Sequence, residues 1–594
     1  GRAARAEYDR GARCGSPDEM RGRRLFATAG RKDFRGFVFE ELLELGLCPV
    51  EAWDRFAKAN GTRPVDAYVG EQFESPDSPT DYWADHFSPH FSKTAAVGAL
   101  PGVTAVFGSK RSYATFYRNC SAARRCPAAW LTSFNVDGDE DLWKTDPVAF
   151  RRKRLRRGQI DGFGEILNEL RRERAAGRFP LVWIVKPQQN TYLSRGMHLA
   201  KLFAGDVETA GAFLKWVEGH YTDRTCKGRG YAEAAVRCNR RRVSFQRYVE
   251  DPALLRGRKF DVRLWVLVAS VDPLKVFLLR HGYPKAASLA YRGVGARKDL
   301  NSQCMHVRLM LDPACPATLE EFLRPFPDGY PKSTASPNFF SGLEFDGVRT
   351  GDWAAAESRW HATVWPAVED AVASAVLLAR PALARAAAEA AAAAGRRADD
   401  ENDDQRRFAL VSPDVAVDRA GRVFVEEINT NGMVLGTHDR GGGYADLFHD
   451  DDYLKALLQI VGVDAYPRKD AYAAPLAAAV DGFCAARGGG CSSLIRRDLE
   501  RAVHEEAHAG PHWYRLYPPL RCRGSRQDAC DADGYWPEQA RANSSLRAVA
   551  GETARDAAVG DFLAAVDTEA IHGARAVPGH GRWGPRRWKG VWAP

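Results

Sequence analysis

The stretch Gly421–Gly432, GRVFVEEINTNG, begins as an apolar strand and ends in Glu426, Glu427 and Asn429. Alternate side chains of a strand share a face. An unbroken strand therefore sets Val423, Val425, Glu427 and Asn429 on one side and Phe424, Glu426 and Ile428 on the other. Glu427 and Asn429 extend an apolar row into a polar pocket, and oxygen donors of this kind suit a hard cation such as Mg2+. The preceding run FALVSPDVAVD, Phe408–Asp418, reads as the partner strand of a hairpin around Arg419, Ala420 and Gly421. Pairing Asp418 with Val423 puts Asp414 opposite Glu427, where like charges repel and an intervening cation removes the penalty. A strand end that merely surfaces would carry the same residues, so the hairpin alone does not decide.

A second row tips that balance. In KFDVRLW, Lys259, Asp261 and Arg263 share one strand face and Phe260, Val262 and Leu264 the other. The strand continues as WVLV and reads as buried, which surface exposure of the charged row does not explain. Fixed cations beside a hard metal ion suit a nucleoside triphosphate and a carboxylate substrate. In WIVKPQQNTYLSRGM an apolar strand delivers Lys186 and gives way to a polar loop ending in Arg195 and Gly196. It is neither a Walker A motif nor a dinucleotide fingerprint. In SFQRYVEDP, Gln246, Tyr248 and Glu250 alternate with Arg247 and Val249, and backbone groups at such a strand end can read an adenine edge.

These groups need a scaffold. The chain has 594 residues, enough for two to four domains, with 45% hydrophobic and 27% charged residues, as in globular proteins. No charge-free apolar run reaches the length of a membrane span, and no membrane association is expected. The start, GRAARAEYDR, lacks an initiator Met and reads as a cut fragment. The net charge of +9 favours acidic partners, although on composition alone a solvated basic surface is the better account. Basic runs such as Arg151–Arg157 lack the aromatic residues of a nucleic-acid motif, so nucleic acid is not expected as a partner. The twelve cysteines include no CxxC pair. Cys484, Cys491, Cys522 and Cys530 could form two disulfides or a loose metal site, and the reading adopted is free thiols.

Strands are expected in FPLVWIVKP, RRVSFQRYVE, KFDVRLWVLVAS and the hairpin. Helices are expected in FRGFVFEELLELG, after Gly108, in FGEILNELRRERA and over the Ala-rich Pro381–Ala394, and Val103–Phe107 reads as a short strand. The mixture is an α+β (mixed α/β) architecture. Three regions are expected: an N-terminal α/β region (1–134), a core (135–465), and an extension (466–594) where periodicity fades.

The four strings, taken in order, resemble the tubulin–tyrosine ligase-like family, whose core is an ATP-grasp fold. The family carries a lysine in a W-I-x-K-P context, then Q-K-Y-[IL], then K-F-D-[IL]-R-x-[WY]-V-L-V, and an aspartate thirteen residues before the Glu of E-[VI]-N. Here these are Lys186, Gln246–Val249, Lys259–Val268, and Asp414 with Glu427 and Asn429. The resemblance spans about residues 110–463. It implies that Lys186 contacts the α/β-phosphates and that Gln246, Arg247, Tyr248 and Val249 hold the adenine. Lys259 and Asp261 would line the nucleotide, Arg263 would lie near the γ-phosphate and acceptor carboxylate, and Asp414, Glu427 and Asn429 would hold Mg2+. GSKRSYATFYRN is similar to the family's K-x-x-L stretch, which makes Lys110 a further lysine of the site. Two departures stand out. Lys285 occupies the arginine position of Y-x-x-G-[FV]-x-R, and HVRL (His306–Leu309) lacks the asparagine of H-L-T-N, for which Asn301 is a candidate substitute.

The implied function is ATP-dependent ligation of an amino acid (Glu, Gly or Tyr) to a protein glutamate or C-terminal carboxylate through an acyl-phosphate. Arg263 and Lys285 would act on the reacting carboxylate, ATP and Mg2+ would be required, and the partner would be tubulin or another acidic-tailed protein. The expected setting is a monomer in the cytoplasm on the microtubule cytoskeleton, cilia included. The alternatives are a tubulin-binding pseudoenzyme and an ATP-grasp ligase with a non-tubulin substrate.

Overall fold

The computed structural model describes residues 100–137, 155–187, 197–221, 242–294, 323–393, 406–430, 452–463, 469–518 and 553–571, a few positions within them excepted, with four short strands nearer the start. The expected helix FRGFVFEELLELG, Arg195, Gly196, Asn301, His306–Leu309, Cys522, Cys530 and most of Arg151–Arg157 lie outside the described residues.

Two antiparallel sheets carry the residues singled out above. The smaller has the order β5 (Ser133–Asp137), β8 (Arg242–Arg247), β6 (Leu181–Pro187) and β7 (His198–Leu202). Its residues Phe134, Trp183, Val185, Val243 and Phe245 join the main core. They pack under α3 (Phe163–Ala175), the expected helix, and α4 (Ala210–Tyr221), which bury Ile166, Leu170, Phe213 and Val217. Phe134 stacks on Phe245 at 4.8 Å. Strand alternation turns Lys186 and Gln246 to the opposite face.

The larger sheet runs β14 (Leu343–Glu344), β9 (Leu254–Leu255), β10 (Arg258–Arg263), β16 (Ala409–Val417), β11 (Val266–Val271), β12 (Leu274–Leu279) and β18 (Trp513–Tyr517). In addition β13 (Tyr283–Ala286) pairs with β10, and β17 (Val423–Asn429) with β16. The run KFDVRLWVLVAS is thus two strands rather than one. Both lie along β16, β10 against Asp414–Ala416 and β11 against Ala409–Val411. The break falls where Leu264 N–H donates to Pro413 O at 2.9 Å. Pro413 has no N–H to return, so the ladder is interrupted there.

A 29-residue helix, α7 (Trp365–Ala393), contains the Ala-rich stretch and starts well before it. Val368, Ala371, Val372, Ala375, Val376 and Ala379 give it a buried stripe at helical spacing. The helical run Trp353–Ala392 is long and apolar enough, by length and composition, to cross a membrane, and 56% of its apolar window is buried inside the protein.

Val103–Phe107 forms a helix, α1, and not the expected strand. Five residues, four of them apolar, carry too little periodicity to separate the two. Gly102, at φ 79°, turns the chain so that Val103, Val106 and Phe107 share one buried side. The helix expected after Gly108 is α2 (Lys110–Ala122). Nearer the start, β1 (Leu25–Ala29), β2 (Cys48–Pro49), β3 (Ala67–Gly70) and β4 (Ala96–Val97) form a parallel sheet that ends on β15 (Arg406–Arg407).

The described parts of the region after 466 are built into the core. Its helices Ala473–Ala486, Ser493–Ala509 and Ala554–Ala565 bury a cluster of their own that includes Leu476, Val480, Leu499, Val503 and Phe562. Its strand β18 covers the edge of β12. Buried ion pairs fasten it: Lys275 to Glu505 at 2.7 Å, and Arg515 to Glu505 at 2.7 Å and Glu506 at 2.6 Å. Arg380 of α7 pairs with Asp556, which also accepts Leu274 N–H at 2.7 Å. Cys484 and Cys491 are joined in a disulfide, contrary to the free-thiol expectation. A turn with Gly488 and Gly490 both at φ 72° brings their Cα atoms to 5.2 Å. A second disulfide links Cys120 and Cys126.

Glu369 of α7 is buried and accepts a hydrogen bond from Tyr514 Oη. Burial pushes its carboxyl up to about 8, a shift that the Tyr514 bond and Arg280 only partly offset. A group protonated more readily in the folded than in the unfolded state adds stability that is complete below its unfolded pKa, near 4.5. That stability is lost as pH rises through about 8. Glu369→Gln, which keeps the shape without the charge, is expected to melt a few degrees above the parent at pH 9 and close to it at pH 5. Equal melting curves at both values would exclude Glu369 as the source.

Candidate active site

The hairpin forms as expected, but its register reaches the expected pair by a different route. Val417, not Asp418, pairs with Val423, and one residue is then skipped so that Asp414 does face Glu427. The skipped residue is Glu426, a β-bulge in β17. The bulge shifts the phase of the strand, correcting the predicted faces. Val423, Val425 and Ile428 all enter the main core, while Phe424 packs with Leu131, Val249 and Ala416 on the other side. Glu427 and Asn429 do not continue the apolar row, and Glu426 joins them on the polar face. The sequence carries one signal of this, two consecutive carboxylates in an otherwise alternating strand.

Around the bulge the two sheets meet. The Glu426 carbonyl accepts Lys186 Nζ at 3.3 Å and Gln246 Nε2 at 3.1 Å. Its carboxylate takes Lys259 Nζ at 3.3 Å, and Asp261 Oδ1 lies 3.9 Å from the same ammonium. Lys259 also sits 4.5 Å from the ring centre of Tyr248. Phe260, Val262 and Leu264 enter the core, so the predicted two-faced strand holds. On the far side of Asp261, Arg263 grips Asp414 with Nε at 2.9 Å and Nη2 at 2.8 Å. Lys285, cross-strand partner of Asp261, reaches Asp414 at 2.7 Å.

The electrostatics follow from burial and pairing. Burial alone would raise Asp414, but Arg263 and then Lys285 hold its carboxyl far below the usual range. The same pairing raises Arg263 against its own burial. Burial, and then the neighbouring Glu426, lift Asp261 well above the carboxylate range. For Glu426, Lys259, Lys186 and a hydrogen bond from Asp261 outweigh burial and lower it. The two neighbouring carboxyls are thus shifted in opposite directions. Burial lowers the Lys110 ammonium, with Glu427 opposing and Lys186 adding to the shift. Lys110 therefore belongs to the same charge cluster.

Arg247 is set apart. Its side chain lies toward Trp183, 6.0 Å from the ring, and Glu250, at 3.7 Å, away from the cluster. Its backbone N–H donates to Thr132 O at 2.8 Å, and that of Tyr248 to Val182 O at 2.9 Å. Val249 is buried against Phe424.

Asn429 Nδ2 lies 3.3 Å from Glu427 Oε1 and 3.4 Å from Asp414 Oδ2. These two carboxylates and one amide are hard oxygen donors of the kind Mg2+ takes. Asp414 is shared with Arg263 and Lys285. Among the described residues no three His, Cys, Asp or Glu side chains form a ready-made cage. Asp261 Oδ1 is buried without a hydrogen-bond partner, an acceptor open to a donor from a bound molecule. The donor set fits a nucleotide with its cation.

The fold is α+β, and where its two sheets meet, Lys110, Lys186, Lys259 and Lys285 lie among the carboxylates of β10, β16 and β17. Residues 163–308 match the sequence model of the Tubulin-tyrosine ligase family. That segment contains Lys186, Gln246, Lys259, Asp261, Arg263 and Lys285 and stops before the hairpin. The chain is similar to a probable beta-tubulin polyglutamylase of Tetrahymena thermophila, with 42% identity over 62 residues, 10% of this chain and 5% of that protein. It is 40% identical over 68 residues to tubulin monoglutamylase TTLL4 of Mus musculus, 11% of this chain and 6% of that one. With tubulin polyglutamylase TTLL13 of Homo sapiens it shares 33% over 91 residues, 14% of this chain and 11% of that one. These matches span between 5% and 11% of the relatives' own lengths.

Proposed function

We propose that the protein is an ATP-dependent ligase that adds glutamate to a glutamate side chain or C-terminal carboxylate of an acidic protein tail, tubulin's being the first candidate. The observation that supports this best is the meeting at one β-bulge of Lys186 and Gln246 from the small sheet with Lys259, Glu426 and Glu427 from the large one. The relatives named as glutamylases favour glutamate over glycine or tyrosine.

ATP supplies a phosphoryl group that activates the acceptor carboxylate as an acyl-phosphate, and the amino group of the incoming glutamate displaces phosphate from it. The chain's own groups bind and orient. Lys186 and Lys110 offset phosphate charge, and Gln246, Tyr248 and Val249 line the base side with the backbone of Arg247. Lys259 and Asp261 stand between base and phosphates, and Glu427, Asn429 and Asp414 would hold Mg2+. Arg263 and Lys285 hold the reacting carboxylate in line, and no protein nucleophile is needed.

The test is incubation of the full chain with ATP, Mg2+ and labelled Glu, Gly or Tyr on purified tubulin, read by mass spectrometry, beside an ATP titration with and without Mg2+. Addition of Glu is the expected result. ATP binding without transfer would favour the pseudoenzyme, and no ATP binding under either condition would end the nucleotide reading.

Within this reading Arg263→Ala is expected to cost more turnover than Lys285→Ala. Arg263 presents a planar fork held by two bonds to one carboxylate. Lys285 gives a single point charge. Losing a charge-assisted contact in the transition state costs about 2–4 kcal/mol, and Arg263 takes the upper part. Steady-state kinetics on both variants decide it. A larger loss at Lys285 would make lysine the principal anchor.

A further inference from the structure

Tyr113 stands one helical turn after Lys110 on α2. Its buried hydroxyl donates to Val425 O at 2.7 Å and accepts Leu131 N–H at 3.0 Å. Its ring stacks on Trp130 at 4.9 Å and 19°. Trp130 bridges to Val425, whose N–H donates to Ala129 O at 2.8 Å. Val425 is the residue immediately before the bulge. One hydroxyl therefore ties together three segments of the site. These are α2 with Lys110, the lead into β5, which pairs at Ser133 with Gln246, and the strand that turns Glu426 and Glu427 to the polar face.

The geometry points to Tyr113 as a positioning residue that selects the bulged register of β17 and with it the cation-binding side of the site. The inference rests on the nucleotide reading above. A two-stranded ladder without the bulge would continue the pairing of Val415 with Val425 into Asp414 with Glu426, and Glu427 and Asn429 would swing to the core face. A hydrogen bond to the carbonyl of Val425 fixes the last regular position before the skip. Removing it strands that buried carbonyl and the Leu131 N–H together.

The experiment compares ATP affinity of the full chain with Mg2+ and with EDTA, for the parent, Tyr113→Phe and Tyr117→Phe. Tyr117 lies one turn further along α2, and its hydroxyl bonds Thr132 and Glu169 rather than β17. The expected result is that Tyr113→Phe loses about tenfold of the Mg2+-dependent gain, keeps its affinity in EDTA within about twofold, and that Tyr117→Phe changes neither. Retention of the full gain in Tyr113→Phe overturns the inference while leaving the nucleotide reading intact. An equal fall with and without Mg2+, or the same loss in Tyr117→Phe, overturns it as general loosening. A parent that shows no Mg2+-dependent gain sinks both. Hydrogen–deuterium exchange supplies a second readout for a less stable variant. Faster exchange confined to peptides over Val423–Asn429 and Leu131 is expected, and uniform acceleration along the chain overturns the proposal.

Discussion

Asp414→Asn is expected to lower ligation by about three decades or more while ATP binding without Mg2+ survives. Asp414 is 2% exposed and holds both Arg263, through two hydrogen bonds, and Lys285. It also faces Glu427 across the hairpin. The amide keeps the shape and removes the charge that pairs directly with both cations. Breaking a buried pair by neutralising one partner costs about 3–5 kcal/mol. Here the loss falls on three proposed tasks together: metal retention, aim of Arg263 and aim of Lys285. About 1.4 kcal/mol is a decade of rate, so about three decades follow from the middle of that range. Initial rates, ATP titrations in EDTA and melting curves separate the effects. Turnover within a few-fold of the parent would remove Asp414 from the chemistry.

Deleting residues 466–594 is expected to abolish soluble, folded protein rather than release an independent core. The deletion strips β18 from the open side of β12. It also leaves Lys275 and Arg380, each 3% exposed, without Glu505 and Asp556. Each stranded buried charge costs several kcal/mol, against a total stability of about 5–15 kcal/mol. Soluble yield, gel filtration and circular dichroism of the shortened chain give the answer. A monodisperse product that melts cooperatively would show that the tail is an appendage after all.

Much of this site is legible in the sequence because strand periodicity is strict. The alternation in KFDVRLW places Lys259, Asp261 and Arg263 on one face correctly, since β10 is regular over its length. The pairing of Asp414 with Glu427 also comes out, but by a compensation. The starting pair is one residue off, and the bulge restores the register. Faces after a bulge are invisible to a period-two argument, so Glu427, Ile428 and Asn429 are assigned to the wrong sides. Val103–Phe107 failed for a different reason, because a five-residue, mostly apolar run between glycines suits a helix turn as well as a strand. The attachment of the tail depends on single buried pairs such as Arg380 with Asp556, whose partners lie far apart in sequence and leave no local pattern.

The pairing of β12 with β18 also constrains when the molecule can fold. Lys275 and Glu505 are 230 positions apart. On a ribosome adding about 5–20 residues per second, the outer edge of β12 waits roughly 10–50 s for its neighbour to be made. During that interval an all-apolar strand, LKVFLL apart from its lysine, presents unsatisfied backbone groups to any passing chain. Lys275 is the residue that interrupts the run, and it becomes buried only when Glu505 arrives. Before then it is a charged gatekeeper on a sticky edge. The same side chain thus discourages premature association in the nascent chain and locks the finished sheet to its last helices.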